Sequence, residues 1–95
     1  EIKEFYVQLS YILREYVENS VYIKTLEMTT EEIKQYRSVI PFDRGQLGIW
    51  MDILQRADLS KYAKSDPEKM ICHEDLAAGE TFVKNTVPSW KIQNT

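Results

Sequence analysis

Helix-start signals standing directly ahead of helix-period apolar runs constrain this chain more than any other feature. Thr29-Thr30-Glu31-Glu32 fits a capping box. In that motif the threonine side chain accepts from the amide three residues on, and the glutamate reaches back to the cap amide. Met28 and Ile33 stand at the flanking positions where a hydrophobic staple forms. Asp43 with Gln46, and Phe42 with Leu47, repeat the device. Asp66-Pro67-Glu68 gives a third start: a cap, a proline at the first helical position and an acid in the first turn. Ahead of all three, Ile2, Tyr6, Leu9, Leu13 and Tyr16 recur at helical spacing, and Phe5, Ile12 and Val17 widen the stripe.

These signals predict four helices. The first spans Ile2 to Asn19 and ends in the turn-prone run Asn19-Ser20-Val21-Tyr22. The second runs from Thr30 to Val39 and is stopped by Pro41, because the residue before a proline avoids the α region. The third buries Leu47, Trp50, Met51 and Leu54, with Ile53 and Ala57 beside them. Gly45 and Gly48 weaken its first turn. Asp58 reads as its stop and as the cap of a separate single turn, with Leu59 and Tyr62 inward and Lys61 and Lys64 in water. The fourth opens at Asp66 and closes at Pro88. Cys72, Leu76, Gly79 and Val83 line its apolar stripe, Phe82 and Val87 flank it, and Gly79 marks a close approach by another helix. With three glycines and three prolines the chain is too poor in turn residues for a sandwich of many strands. The expected fold is all-α, a compact bundle of about four helices with short connections. It forms a single helical domain over residues 1–88, followed by a polar tail over 89–95 in which Trp90 and Ile92 fold back.

Composition narrows the function classes. A net charge of −3, with basic residues scattered singly, opposes general binding to nucleic acid or to an anionic bilayer. One cysteine, Cys72, precludes an intrachain disulfide, and no apolar run approaches the roughly 20 residues that cross a bilayer. Cys72-His73-Glu74-Asp75 gathers reactive side-chain types, but neighbouring helical residues diverge by about 100°. Cys72 falls on the apolar stripe as an inert thiol, and His73 reads as a surface histidine beside an acidic turn. His73-Glu74 begins like the zinc-hydrolase helix motif, yet Ala77 stands where its second histidine is needed. Glu31, Glu32 and Asp43 have capping roles, and Glu15, Glu18, Glu68 and Glu80 read as a solvated face. The expectation is no catalytic residue, no metal site and no cofactor. A helix-turn-helix regulator using Thr29 to Val39 is the alternative, but Lys34, Gln35 and Arg37 are a thin set for reading bases in an acidic domain. Val7, Tyr11 and Arg14 share the face of the first helix away from its core stripe, an anchor composition common in protein interfaces.

Three stretches together carry a family resemblance. They are Phe5-Tyr6-x-x-Leu9-Ser10-x-x-Leu13-Arg14-x-Tyr16-Val17, Leu26-Glu27-Met28-Thr29-Thr30-Glu31-Glu32, and Ala57-Asp58-Leu59-Ser60-Lys61-Tyr62-Ala63-Lys64 followed by Phe82-Val83-x-x-Thr86-x-Pro88. The chain resembles the helical cytoplasmic domain of Bat-type (Bacteroides aerotolerance) bacterial membrane proteins. It departs from them at Tyr62, where the family usually has phenylalanine, and at Ser60, where an aliphatic is common. The resemblance implies a non-enzymatic interaction or regulatory domain at the cytoplasmic face of the inner membrane, part of a longer protein anchored through a segment outside this chain. It implies protein partners, among them a MoxR-type ATPase and A-domain proteins; the expectation of no nucleic acid rests on the acidic charge.

Overall fold

Helix α1 spans Ile2–Val21, two residues past its expected end. The computed structural model describes residues 2–62 and 69–87, and among these it contains no strand. A 3-10 turn at Thr25–Glu27 comes after α1, then α2 (Thr30–Gln35), α3 (Arg44–Tyr62) and α4 (Lys69–Thr86). The protein is an all-α bundle. Tyr6, Leu9, Leu13 and Val17 form the buried line of α1, whereas Ile12, expected to widen the stripe, is 53% exposed. Ile12 lies one helical step before Leu13, far enough round the helix to miss the partners that cover Leu9 and Leu13. The helix ends where Tyr22 turns left-handed at φ 61° and its N–H donates to the Glu18 carbonyl at 2.9 Å.

Side chains of α1 hold the connector to α2. The Thr25 hydroxyl, fully buried, donates to the Arg14 carbonyl at 2.7 Å. The Leu26 N–H donates to Glu18 Oε1 at 3.1 Å, and Arg14 Nη1 donates to the Met28 carbonyl at 2.8 Å. Both bonds of the Thr29–Glu32 capping box form, at 3.1 and 2.8 Å. Helix α2 stops at Gln35 rather than Val39. The residues from Tyr36 to Val39 are all exposed, so no burial holds a further helical turn in place. Ile40 re-enters the core from this turn.

At the start of α3, Asp43 Oδ1 accepts from the Gln46 N–H at 3.0 Å, as expected of a cap. The return bond of a capping box is absent, since Gln46 Oε1 is buried without a partner among the described residues. The helix then runs unbroken through Asp58, which was expected to stop it. Leu59, expected inside, is 54% exposed, and Ser60 takes the buried position at 3%. An aspartate in mid-helix costs a few tenths of a kcal/mol in propensity, less than the burial of Ala57 and the turn after it returns. The side chains of Lys61 and Tyr62, and the cap at Asp66, lie outside the described residues, as do Pro88 and the tail.

Helix α4 sits rotated from its expected register. Asp75, Gly79, Phe82 and Thr86 are buried, while Leu76 is 42% exposed and Cys72 and Val83 are only half-buried. Phe82 is the hub of the core: the Trp50 ring stacks on it at 5.9 Å, and Tyr16 and Phe42 meet it edge-on at 6.0 and 5.8 Å. Tyr6 contacts Asp75 and Tyr16 contacts Thr86, at nearly constant sequence offset, so α1 and α4 run parallel. Trp50 opposite Phe82 and Arg56 opposite Asp75 make α3 antiparallel to α4. The close approach read from Gly79 is present. A Cβ there would lie 3.4 Å from Leu9 Cδ1 and 3.6 Å from Leu13 Cδ1, in the seam where α1 crosses α4.

Candidate functional site

Two arrangements of polar side chains stand out, on different faces of α3. The first is buried. Asp75 of α4, 3% exposed, receives Arg56 of α3 through two parallel bonds, Nε to Oδ2 and Nη2 to Oδ1, each 2.7 Å. The hydroxyl of Tyr6 on α1 donates to Oδ2 of the same carboxylate. One side chain from each long helix thus meets at a single carboxylate. Burial pushes the Tyr6 phenol above the ordinary tyrosine range, and the Asp75 bond and charge, with the Cys72 thiol beside it, push the same way. Asp75 also raises Arg56 further, against a smaller opposing effect of burial.

This cluster is closed. Both carboxylate oxygens are occupied, the phenol is held protonated, and the guanidinium has no proton to give at ordinary pH. A group poised for acid–base work needs a titration near the working pH, and Tyr6 is driven away from it. The geometry is that of a tie between α1, α3 and α4. The sequence reading left no buried carboxylate; Asp75 is one, and its partners lie 19 and 69 residues away. Periodicity could not show it, because Asp75 sits one helical step from the apolar residues that defined the expected stripe.

The second arrangement is open. A groove of about 520 Å³ lies between α2 with its following turn and α3, lined by Lys34, Arg37, Ser38, Arg44, Leu47, Gly48, Met51, Asp52 and Gln55. On α3 the lining positions 44, 47, 48, 51, 52 and 55 repeat at three- and four-residue steps, so they form one continuous helical face. Leu47 and Met51 make the apolar floor, each 7% exposed. Gly48 lies between them on that face, and a Cβ there would meet no described residue within 4 Å. Lys34, Arg37 and Arg44 form the rim, and none of them makes an ion pair with a described residue. The turn carrying Arg37 and Ser38 also exposes Tyr36 and Val39, at 47% and 61%.

The residues singled out from sequence are dispersed. Val7 is half-buried, Tyr11 is 52% exposed, and Arg14 is half-buried and engaged with the Met28 carbonyl and the Thr30 hydroxyl. Arg14 therefore orders the entry to α2. Cys72 is half-buried rather than embedded in an apolar stripe, and His73 and Glu74 are exposed. Among the described residues no group of three or more His, Cys, Asp or Glu side chains could hold a metal ion. No described helix is long and apolar enough to cross a membrane. The groove was missed in sequence because its basic residues come from three separate segments. The signal that could have found it was Gly48, a helix-weakening residue in the middle of an otherwise regular apolar run. Comparison with known proteins found no matching family model, no similar curated protein and no similar solved structure.

Proposed function

We propose that this chain is a helical protein-interaction domain that receives a partner segment in the α2–α3 groove and carries no catalytic chemistry of its own. The observation that carries the reading is the groove itself: an apolar floor and an unfilled glycine on a continuous face of α3, rimmed by three cations that make no ion pair with a described residue. Helix α2, six residues long, contributes Lys34 to the lining, so α3 and the turn after α2 make most of the groove. The buried Tyr6–Asp75–Arg56 tie supports the reading from the other side, since its groups are consumed in fixing the three long helices. The setting implied by the family resemblance is a membrane-anchored bacterial protein whose helical part works with a MoxR-type ATPase and A-domain proteins.

Site-specific photo-crosslinking in the source cell tests the proposal. A photoreactive phenylalanine analogue at Gln55, on the groove, is expected to trap one discrete protein. The same probe at Glu15, exposed on α1, is expected to trap none. A probe at Tyr11 tests the Val7, Tyr11 and Arg14 face directly. Adducts at Tyr11 with none at Gln55 would move the docking site to α1 and refute the groove.

A further inference from the structure

The chemistry of the groove selects its occupant, given the docking role proposed for it. We propose that the partner segment is an acidic amphipathic helix of about three turns, lying along α3 with its apolar side on Leu47, Gly48 and Met51.

Three observations lead there. The first is length and shape. The lining face of α3 extends from Arg44 to Gln55, roughly 16 Å at 1.5 Å per residue, which matches about three turns of a second helix. Its positions keep to the three- and four-residue steps that receive a helix laid into a groove. The second is the floor. A glycine inside a helix is usually explained by a neighbour that needs the space, as Leu9 and Leu13 do at Gly79. No described residue comes within 4 Å of where a Cβ at Gly48 would stand. Leaving out the side chain there lowers the floor so that a partner backbone or bulky apolar residue can approach. The third is charge. The chain carries net −3, yet the rim assembles Lys34, Arg37 and Arg44 against the single carboxylate Asp52. Complementary potentials of this kind steer encounter and set orientation. Asp52 lies toward the Gln55 end of the α3 face and Arg44 at the other. The acidic residues of the partner therefore concentrate toward the Arg44 end, away from Asp52.

A nucleic acid fits less well. A phosphate backbone would meet the Asp52 carboxylate on the rim and would make no use of the space left open at Gly48.

Selection from a displayed library of random dodecapeptides, against the whole chain at low salt, decides among these occupants. The expected result is enrichment of sequences with Asp and Glu interleaved with apolar residues at helical spacing. A synthetic copy of such a peptide should bind roughly tenfold more weakly to the double variant Arg37→Glu/Arg44→Glu. It should also weaken as salt rises toward physiological strength. Gly48→Leu should abolish binding while the helical circular dichroism spectrum is kept and the melting temperature does not fall, because the new side chain enters open space. Enriched peptides that are neutral or basic, and that are still lost on Gly48→Leu, would overturn the acidic partner but leave the docking groove standing. Acidic peptides that bind Gly48→Leu as well as the native chain would overturn both. No enrichment at all would overturn the acidic helix as occupant, and the crosslinking at Gln55 would then judge the groove alone. A labelled DNA duplex that binds with the same dependence on Gly48 and Arg37 would replace the peptide with nucleic acid.

Discussion

Helix α3 shows two faces with opposite outcomes. On one, Trp50 and Arg56 meet α4, and Arg56 joins a carboxylate and a phenol contributed by the other two long helices. On the other, Arg44, Leu47, Gly48, Met51, Asp52 and Gln55 look across a groove at a six-residue helix and a turn. Polar groups on the closed face neutralise one another inside the chain. Cations on the open face make no ion pair with a described residue. Gly79 on α4 and Gly48 on α3 show the same contrast: a methyl at Gly79 would touch Leu9 and Leu13, and one at Gly48 would touch no described residue. The difference teaches that the bundle's stability and its recognition chemistry are placed on different sides of one helix, so substitutions should separate them.

Packing gives the largest contrast. Phe82→Ala removes the ring on which Trp50, Tyr16 and Phe42 converge and should cost about 3–5 kcal/mol in urea denaturation. Met51→Ala, beside the groove where surrounding groups can relax, should cost about 2 kcal/mol. Equal losses at the two positions would mean that the groove floor is as tightly enclosed as the hub, and the contrast would fail.

The polar tie comes next. Asp75→Ala leaves the Tyr6 hydroxyl buried without its acceptor and Arg56 without its counter-charge. The expected loss is about 2–3 kcal/mol, below that of a fully buried pair because the Arg56 side chain is 38% exposed. Asp52→Ala on the groove rim should stay within about 0.5 kcal/mol. Replacing the whole cluster (Tyr6→Phe with Arg56→Met and Asp75→Leu) should recover most of the lost stability, since apolar groups of similar volume need no partners. A triple variant as unstable as Asp75→Ala would show that the tie does more than close the bundle.

Legibility in the sequence tracks the range of the interaction that decides each feature. The Thr29–Glu32 box was readable because both of its bonds span three residues. The amide bond of the Asp43 cap was readable for the same reason, although Gln46 does not complete the box. The unbroken course of α3 was not, because Asp58 signals a stop locally and burial of Ala57 and Ser60 overrides it. The register of α4 was misread for a related cause. Two of its buried residues, Asp75 and Thr86, are polar, and Tyr6, Arg56 and Tyr16 satisfy them from far away in the chain. Leu76 and Cys72 then drew the apparent stripe about one position aside. The groove depends on the early end of α2, which turns Arg37 and Ser38 out of helix and toward α3.

The tie also has a signature in alkali. Its phenol is held above the ordinary tyrosine value of 10.0 by burial, by Asp75 and by Cys72. Below pH 10 Tyr6 is protonated in both folded and unfolded chains, and its contribution to stability is complete. Above pH 10 only the unfolded chain gives up the proton, so stability should fall by about 1.4 kcal/mol for each further pH unit. Tyr6→Phe removes this slope, at the cost of a constant loss of one hydrogen bond at neutral pH. Urea midpoints measured from pH 8 to 11 on both proteins give the comparison. Parallel curves would mean that the phenol ionises as freely in the fold as out of it.

The smallest expected effect tests the open face most directly. Gly48 lies five residues into α3, where glycine disfavours helix by about 0.8–1 kcal/mol relative to alanine. Since a methyl there would meet no described residue within 4 Å, Gly48→Ala should stabilise the isolated chain by about 0.5–1 kcal/mol. Gly48→Leu should do nearly as well, because leucine is almost as good a helix former and its side chain would project into the groove. A gain in stability together with a loss of peptide binding is the outcome that separates the two faces. It would mean that glycine at this position weakens the fold and serves only the occupant. If Gly48→Leu instead destabilised the chain, something within the protein would already fill that space, and the face would be closed.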